Sequence, residues 1–112
     1  MIAHYLKTEK PKSKLIILDA KEKFSKQALF EKGWQDLYGY GTDNSLIEWH
    51  PASDDGGVVG VNINNMEAIT QFDEHKADVI NIIPPQHAGE IAKVAGVTDN
   101  TGWCPVHHTT WE

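Results

Sequence analysis

The sequence predicts an α/β fold, and three observations predict it. Short continuous apolar runs at Lys14–Asp19 and Ala77–Ile83 have the composition of strands buried on both faces of a parallel sheet. Apolar residues recur with helical spacing at Ile2–Lys7, Leu29–Tyr38 and Gln86–Ala95. From Leu46 to Phe72 the period shortens, and Asp/Gly/Asn clusters cut the chain into strand-length pieces.

Ile2, Tyr5 and Leu6 mark one helical face, and the pattern ends at Lys10-Pro11, where the proline ring cannot continue a helix. Leu15–Leu18 is then the first buried strand, closed by Asp19. Ser25 is the expected N-cap of the next helix, with Phe24 packing on Leu29 as a hydrophobic staple. Leu29, Phe30, Trp34, Leu37 and Tyr38 line its apolar face, and Gly39 and Gly41 end it. Residues 46–72 read as an antiparallel meander of Ile47–His50, Val58–Ile63 and Glu67–Phe72, turning at Asp54–Gly57 and Asn64-Asn65. Ala77–Ile83 is the second buried strand, stopped by Pro84-Pro85. Gln86–Ala95 is a short helix with Ala88, Ile91, Ala92 and Ala95 inward and Gly96 after its end. Trp103–Val106 is a last strand before a polar tail, His107–Glu112.

That order is a dinucleotide-domain layout: a partial Rossmann-like, NAD-type domain with parallel strands, flanking helices and an antiparallel β-meander. The 112 residues are expected to form one such partial domain, missing its first strand, because a helix that opens this unit follows a strand and a glycine turn. The unpaired sheet edge this leaves predicts a homo-oligomer or a domain swap.

Composition narrows the function. There are 10 lysines, 16 acidic residues and no arginine, for a formal charge of -6. A chain of that charge, without guanidinium forks, is a poor phosphate ligand, so nucleic acid is excluded as a partner. No apolar run approaches the roughly 20 residues that span a bilayer. Met1–Tyr5 has neither a basic nor an apolar leader segment, so no signal peptide is expected in the sequence as given.

Few residues carry obvious chemistry. Gly56–Gly60 precedes a strand rather than a helix, so it reads as a hairpin turn and not a phosphate loop. Asp19 stands where nucleotide-binding sheets place an acid for a ribose hydroxyl, but the upstream glycine fingerprint is absent and a solvated strand end is favoured. None of the six histidines, His4, His50, His75, His87, His107 and His108, forms a helical i,i+4 metal pair, so surface positions are expected. A metal-binding tail at His107-His108 ranks last. Cys104, the single cysteine, lies between an aromatic residue and a proline and reads as a small buried hydrophobe. Trp34 and Trp49 read as packing residues and Trp111 as exposed.

Several stretches resemble the flavocytochrome c sulfide dehydrogenase flavoprotein family. Among them are Met1–Lys7, Lys14–Asp19, Phe24–Gln27, Gly33–Tyr38, Ile47–Pro51, Lys76–Gln86 and Gly102–Val106. The pairing of Ile83-Pro84-Pro85-Gln86-x-Ala88-Gly89 with Gly102-Trp103-Cys104-Pro105-Val106 is the specific part. The resemblance covers essentially the whole chain, as the middle of a longer two-dinucleotide-fold flavoprotein related to glutathione reductase. It implies FAD in the full-length protein, sulfide oxidation, a c-type cytochrome partner and a periplasmic location. It also implies that the flavin tether and both redox cysteines lie outside residues 1–112, so the fragment is expected to hold no FAD and to be inactive alone. Cys104 matches neither redox cysteine. Residues 102–112 are then a return segment toward the FAD domain. Pro84, Pro85 and Gln86, at the end of a parallel strand, are the cofactor-proximal candidates. His107, Trp111 and His87 depart from the family pattern; His87 stands where an arginine is frequent. A free-standing α/β binding or oligomerisation module is the alternative reading.

Overall fold

The apolar run at Leu15 forms a strand, and its neighbour is distant in sequence. In the computed structural model, which describes residues 1–111, β1 (Leu15–Leu18) pairs in parallel with β2 (Ile47–His50). Leu15 stands opposite Ile47 and Leu18 opposite His50. Parallel neighbours cannot be joined by a tight turn, and α2 (Gln27–Tyr38) supplies the crossover of a βαβ unit. The pairing extends by one backbone bond at each end, Leu15 N to Leu46 O and Asp19 N to His50 O, both 2.9 Å. Ile47 is the most deeply buried side chain, 2% exposed. β1 itself is only half-buried and Ile16 is exposed, where burial on both faces was expected. A two-stranded sheet leaves part of each strand's surface without a layer above it.

α2 starts two residues after the expected cap. Lys26, at φ 59°, holds the N-cap position without a side-chain bond, and Ser25 does not cap. Phe24 packs against aromatic rings instead of Leu29: Trp49 at 5.3 Å, Trp34 at 5.7 Å and Phe30 at 5.9 Å between centroids. Edge-to-face rings gain quadrupole attraction that a leucine cannot offer, and Leu29 is left 69% exposed. At the other end Gly39 takes φ 67° and donates its N–H to Trp34 O, as the glycine there predicts. α1 (Ile2–Glu9) buries Ala3 and stops before Pro11.

The meander lies further along the chain than the sequence pattern suggests. Its strands are β3 (Val58–Asn62), β4 (Glu67–Thr70) and β5 (Glu74–Lys76), antiparallel in the order β3-β4-β5. Ile47–His50 is excluded from it, because that segment finds its hydrogen bonds on β1. The single turn α3 (Ala52–Asp55) leads from β2 toward the meander. Gly56 and Gly57 are therefore not a hairpin turn: Gly56, at φ 74°, ends α3 by donating to Ala52 O at 2.7 Å. A Cβ at Gly56 would fall 2.5 Å from Gln71 Cβ. The glycines run from helix into strand, the wrong polarity for a phosphate loop.

The described residues fall into two units, the first Met1–Ile80 and the second from Asn81 onward. Ala77–Ile83 is not a strand; Val79 and Ile83 are 83% and 77% exposed. A β-branched run becomes a strand only where a neighbouring backbone pairs with it, and among the described residues none does. In the second unit α4 (Glu90–Val94) is shorter than Gln86–Ala95, and Ile91 faces solvent. Pro84 and Pro85 offer no N–H for a helical turn, and residues 81–89 have no regular structure. Trp103–Val106 is likewise not a strand, and Glu112, the last residue of the expected tail, lies outside the described residues. Among the described residues no helix is long and apolar enough to cross a membrane.

Ile47 anchors the first unit, so Ile47→Ala is expected to lower the unfolding free energy by about 2–5 kcal/mol. Ile63→Ala, at a 79% exposed position, should change it by no more than about 0.5 kcal/mol. Urea denaturation followed by tryptophan fluorescence measures both.

Candidate functional site

Asp55 is the one buried acid among the described residues, 7% exposed. It closes α3, and its carbonyl accepts the Gln71 N–H at 3.1 Å, which ties that turn to the end of β4. Its carboxylate meets two imidazoles through the same oxygen. His75 Nε2, from the middle of β5, is hydrogen-bonded to Asp55 Oδ2 at 3.0 Å. His50 Nδ1, from the last residue of β2, lies 3.1 Å from that oxygen. The two rings are edge-to-face with centroids 5.4 Å apart. Both histidines are half-buried, so the group sits at the margin of the fold rather than free in solvent.

Asp73 completes the cluster from the turn between β4 and β5. Thr70 Oγ1 both donates to Asp73 O and accepts from Asp73 N, each at 2.9 Å, and Thr70 is buried. Asp73 Oδ1 accepts the Glu74 N–H at 2.8 Å. Asp55, Asp73 and His75 each present a donor atom, and all three atoms lie within 4.8 Å of one another. Imidazole nitrogens and carboxylate oxygens in this arrangement can exchange protons or ligate a cation; the cluster holds no thiol to act as a nucleophile.

The sequence does not single out Asp73 or the Asp55 carboxylate, and His50 and His75, expected at the surface because no histidines stand one helical turn apart, are half-buried instead. The readable signal was Asp73-x-His75: two residues apart on an extended chain share a face. His50 and Asp55 flank a turn whose geometry composition alone does not give.

Asp19 forms a second, smaller polar group. Its carboxylate pairs with Lys21 Nζ at 2.9 Å and accepts the Lys21 N–H at 3.1 Å. Partial burial pushes its pKa upward, but the Lys21 contacts and the Trp49 indole outweigh that and hold it below the usual carboxylate value. The Trp49 Nε1 itself is buried without a hydrogen bond of full geometry. Asp19 is thus an ion-paired strand end, with its side chain 14% exposed and so more enclosed than the solvated end expected.

The sequence-derived cofactor candidates lie elsewhere. Pro84, Pro85 and Gln86 are exposed in the second unit, and Gln86 Nε2 donates to Pro84 O at 3.2 Å. The surface depressions edged by Met66 and Lys76, and by Lys7 and Tyr38, include neither the Asp55 cluster nor Asp19 nor Pro84–Gln86. His4, His87, His107 and His108 are exposed as expected. Cys104 is exposed too, against the expectation of burial, because its segment joins no sheet. Trp111 is exposed, whereas Trp34 and Trp49 pack in the aromatic cluster around Phe24.

A comparison with protein families matches residues 1–84 to the family described as sulfide dehydrogenase (flavocytochrome c) flavoprotein chain, central. The matched span contains α1 through β5, and with them His50, Asp55, Asp73 and His75.

A carboxyl whose pKa is lowered by folding stabilises the fold above its unfolded value, near 4, and loses that contribution as pH falls through the lower folded value. Asp19→Asn should therefore be less stable than the parent at pH 7, with the difference closing as pH drops below about 4. Paired urea titrations at neutral and acid pH test this; a difference that persists or grows in acid would contradict it.

Proposed function

The chain belongs to the family of central segments of sulfide dehydrogenase (flavocytochrome c) flavoprotein chains, and from that premise we propose that it serves as a structural part of an FAD-dependent sulfide:cytochrome c oxidoreductase and is inactive alone. The family match carries this reading. Exposed apolar side chains support it: Leu29, Phe30 and Leu37 on α2, with Val59, Ile63 and Phe72 around the meander, are exposed in an acidic chain. Such surfaces on a folded unit mark places where other protein is packed.

In this reading the chain is the partial NAD-like domain of the flavoprotein. Residues 102–112 return toward the FAD-binding part, and Pro84, Pro85 and Gln86, on an exposed segment without regular structure, lie beside the cofactor. Bound elsewhere in the flavoprotein, the flavin would supply the redox chemistry between sulfide and a c-type cytochrome subunit, in the periplasm. None of this chain's side chains is assigned a catalytic step. The purified chain should show no visible flavin absorbance and no sulfide-dependent reduction of a c-type cytochrome. Flavin co-purifying in stoichiometric amount, or cytochrome reduction above the sulfide blank, would overturn the proposal.

One observation favours a second reading, a self-associating module. β1 and β2 form a two-stranded sheet in which each strand has an outer edge unpaired among the described residues, and open edges recruit further strands. Sedimentation at rising concentration should then show a dimer or larger species. A monomer at all concentrations, with well-dispersed amide resonances, would remove this reading.

A further inference from the structure

Asp55, Asp73 and His75 converge in the first unit, His50 lies against Asp55, and no lysine is paired to Asp55 or Asp73 among the described residues. The lysine ion pairs there lie at Glu48, Asp19 and Asp36 instead. Two carboxylates whose oxygens lie within 4.8 Å of each other repel when both carry charge, more strongly where one is buried. A cation between them would remove that repulsion.

The spacing suits such an ion. Metal–nitrogen and metal–oxygen bonds of about 2.0–2.2 Å in a tetrahedral zinc site place neighbouring donor atoms roughly 3.3–3.5 Å apart. Asp55 Oδ2 lies 3.1 Å from His50 Nδ1 and 3.0 Å from His75 Nε2, so small outward movements open the required space. The donor set of imidazole and carboxylate is one that zinc accepts. The donors are also fixed before any ion arrives: His50 ends β2, His75 is paired across from Ala68, and Asp73 is pinned through Thr70 and Glu74.

We propose that His50, Asp55, Asp73 and His75 form a binding site for a divalent cation of the zinc class. The ion would join the end of the parallel pair to the meander, so its role is structural. This proposal stands on the cluster alone and does not depend on the flavoprotein reading.

The test is titration of the metal-free 112-residue chain with Co²⁺, whose tetrahedral complexes absorb in the visible, followed by displacement with Zn²⁺. One equivalent should bind, and Zn²⁺ should raise the thermal midpoint. His75→Ala and Asp73→Asn should each weaken binding at least about tenfold. Asp73→Asn keeps the turn's Oδ1 acceptor and lies at an exposed position, so it decides the matter if His75→Ala fails to fold. The His107→Ala/His108→Ala double variant and His87→Ala should bind as the parent does. Absence of saturable binding by the parent overturns the proposal. So does binding that survives Asp73→Asn undiminished, or that disappears with the tail histidines.

Discussion

The Asp55 carboxylate is the interaction on which the arrangement of the first unit turns. The buried apolar residues among those described are Ala3, Ile47 and Ala68. Ile47 lies in the parallel pair and Ala68 in the meander, so no large shared apolar core glues the two sheets together. Asp55 meets His50 on one sheet and His75 on the other, and its own carbonyl is bonded to Gln71 beside β4. A buried carboxylate costs free energy unless its oxygens are occupied. Here that cost enforces one geometry, because only β2, α3 and β5 together supply the partners.

The glycines that follow Asp55 make this possible. α3 must end at once and the chain must reverse toward β3, which Gly56 and Gly57 do at φ 74° and 73°. Gly56 also allows Gln71 to approach closely enough for its N–H to reach the Asp55 carbonyl. A side chain at Gly56 would press on Gln71 and shift the helical turn that carries the carboxylate. The glycine cluster is therefore explained by the polar tie it serves, not by an anion held on backbone N–H groups.

Local features of the fold were legible in the sequence, and pairing was not. The apolar run Leu15–Leu18, the end of α1 at Pro11 and the Gly39 cap follow from residue type and spacing within a few positions. β2 shows the difference: Ile47–His50 was recognisable as a strand, yet its partner on β1 is about thirty residues away and its composition does not name it. Val79, Ile82 and Ile83 show the converse, since hydrophobic composition says what burial would favour and not whether a neighbour is present. The candidate site was illegible for the same reason. His50, Asp55 and His75 meet only after a parallel pair, a helical turn and a meander have formed, whereas the spacing rules for histidine pairs describe a single helix.

Membership in a flavoprotein family and a polar cluster deep in the matched span fit together physically. The exposed apolar side chains on α2 and around the meander offer contact area but little direction, because hydrophobic burial is not directional. Their placement must then be fixed by something stiffer within the unit itself. The aromatic cluster around Phe24 does this for α2 against β2, and the Asp55 group does it for the meander against β2. Both ties converge on β2, through Trp49 and His50, adjacent residues whose side chains leave opposite faces of the strand. One four-residue strand thus sets the position of the helix on one side and the meander on the other, and the outward apolar surfaces inherit their positions from it.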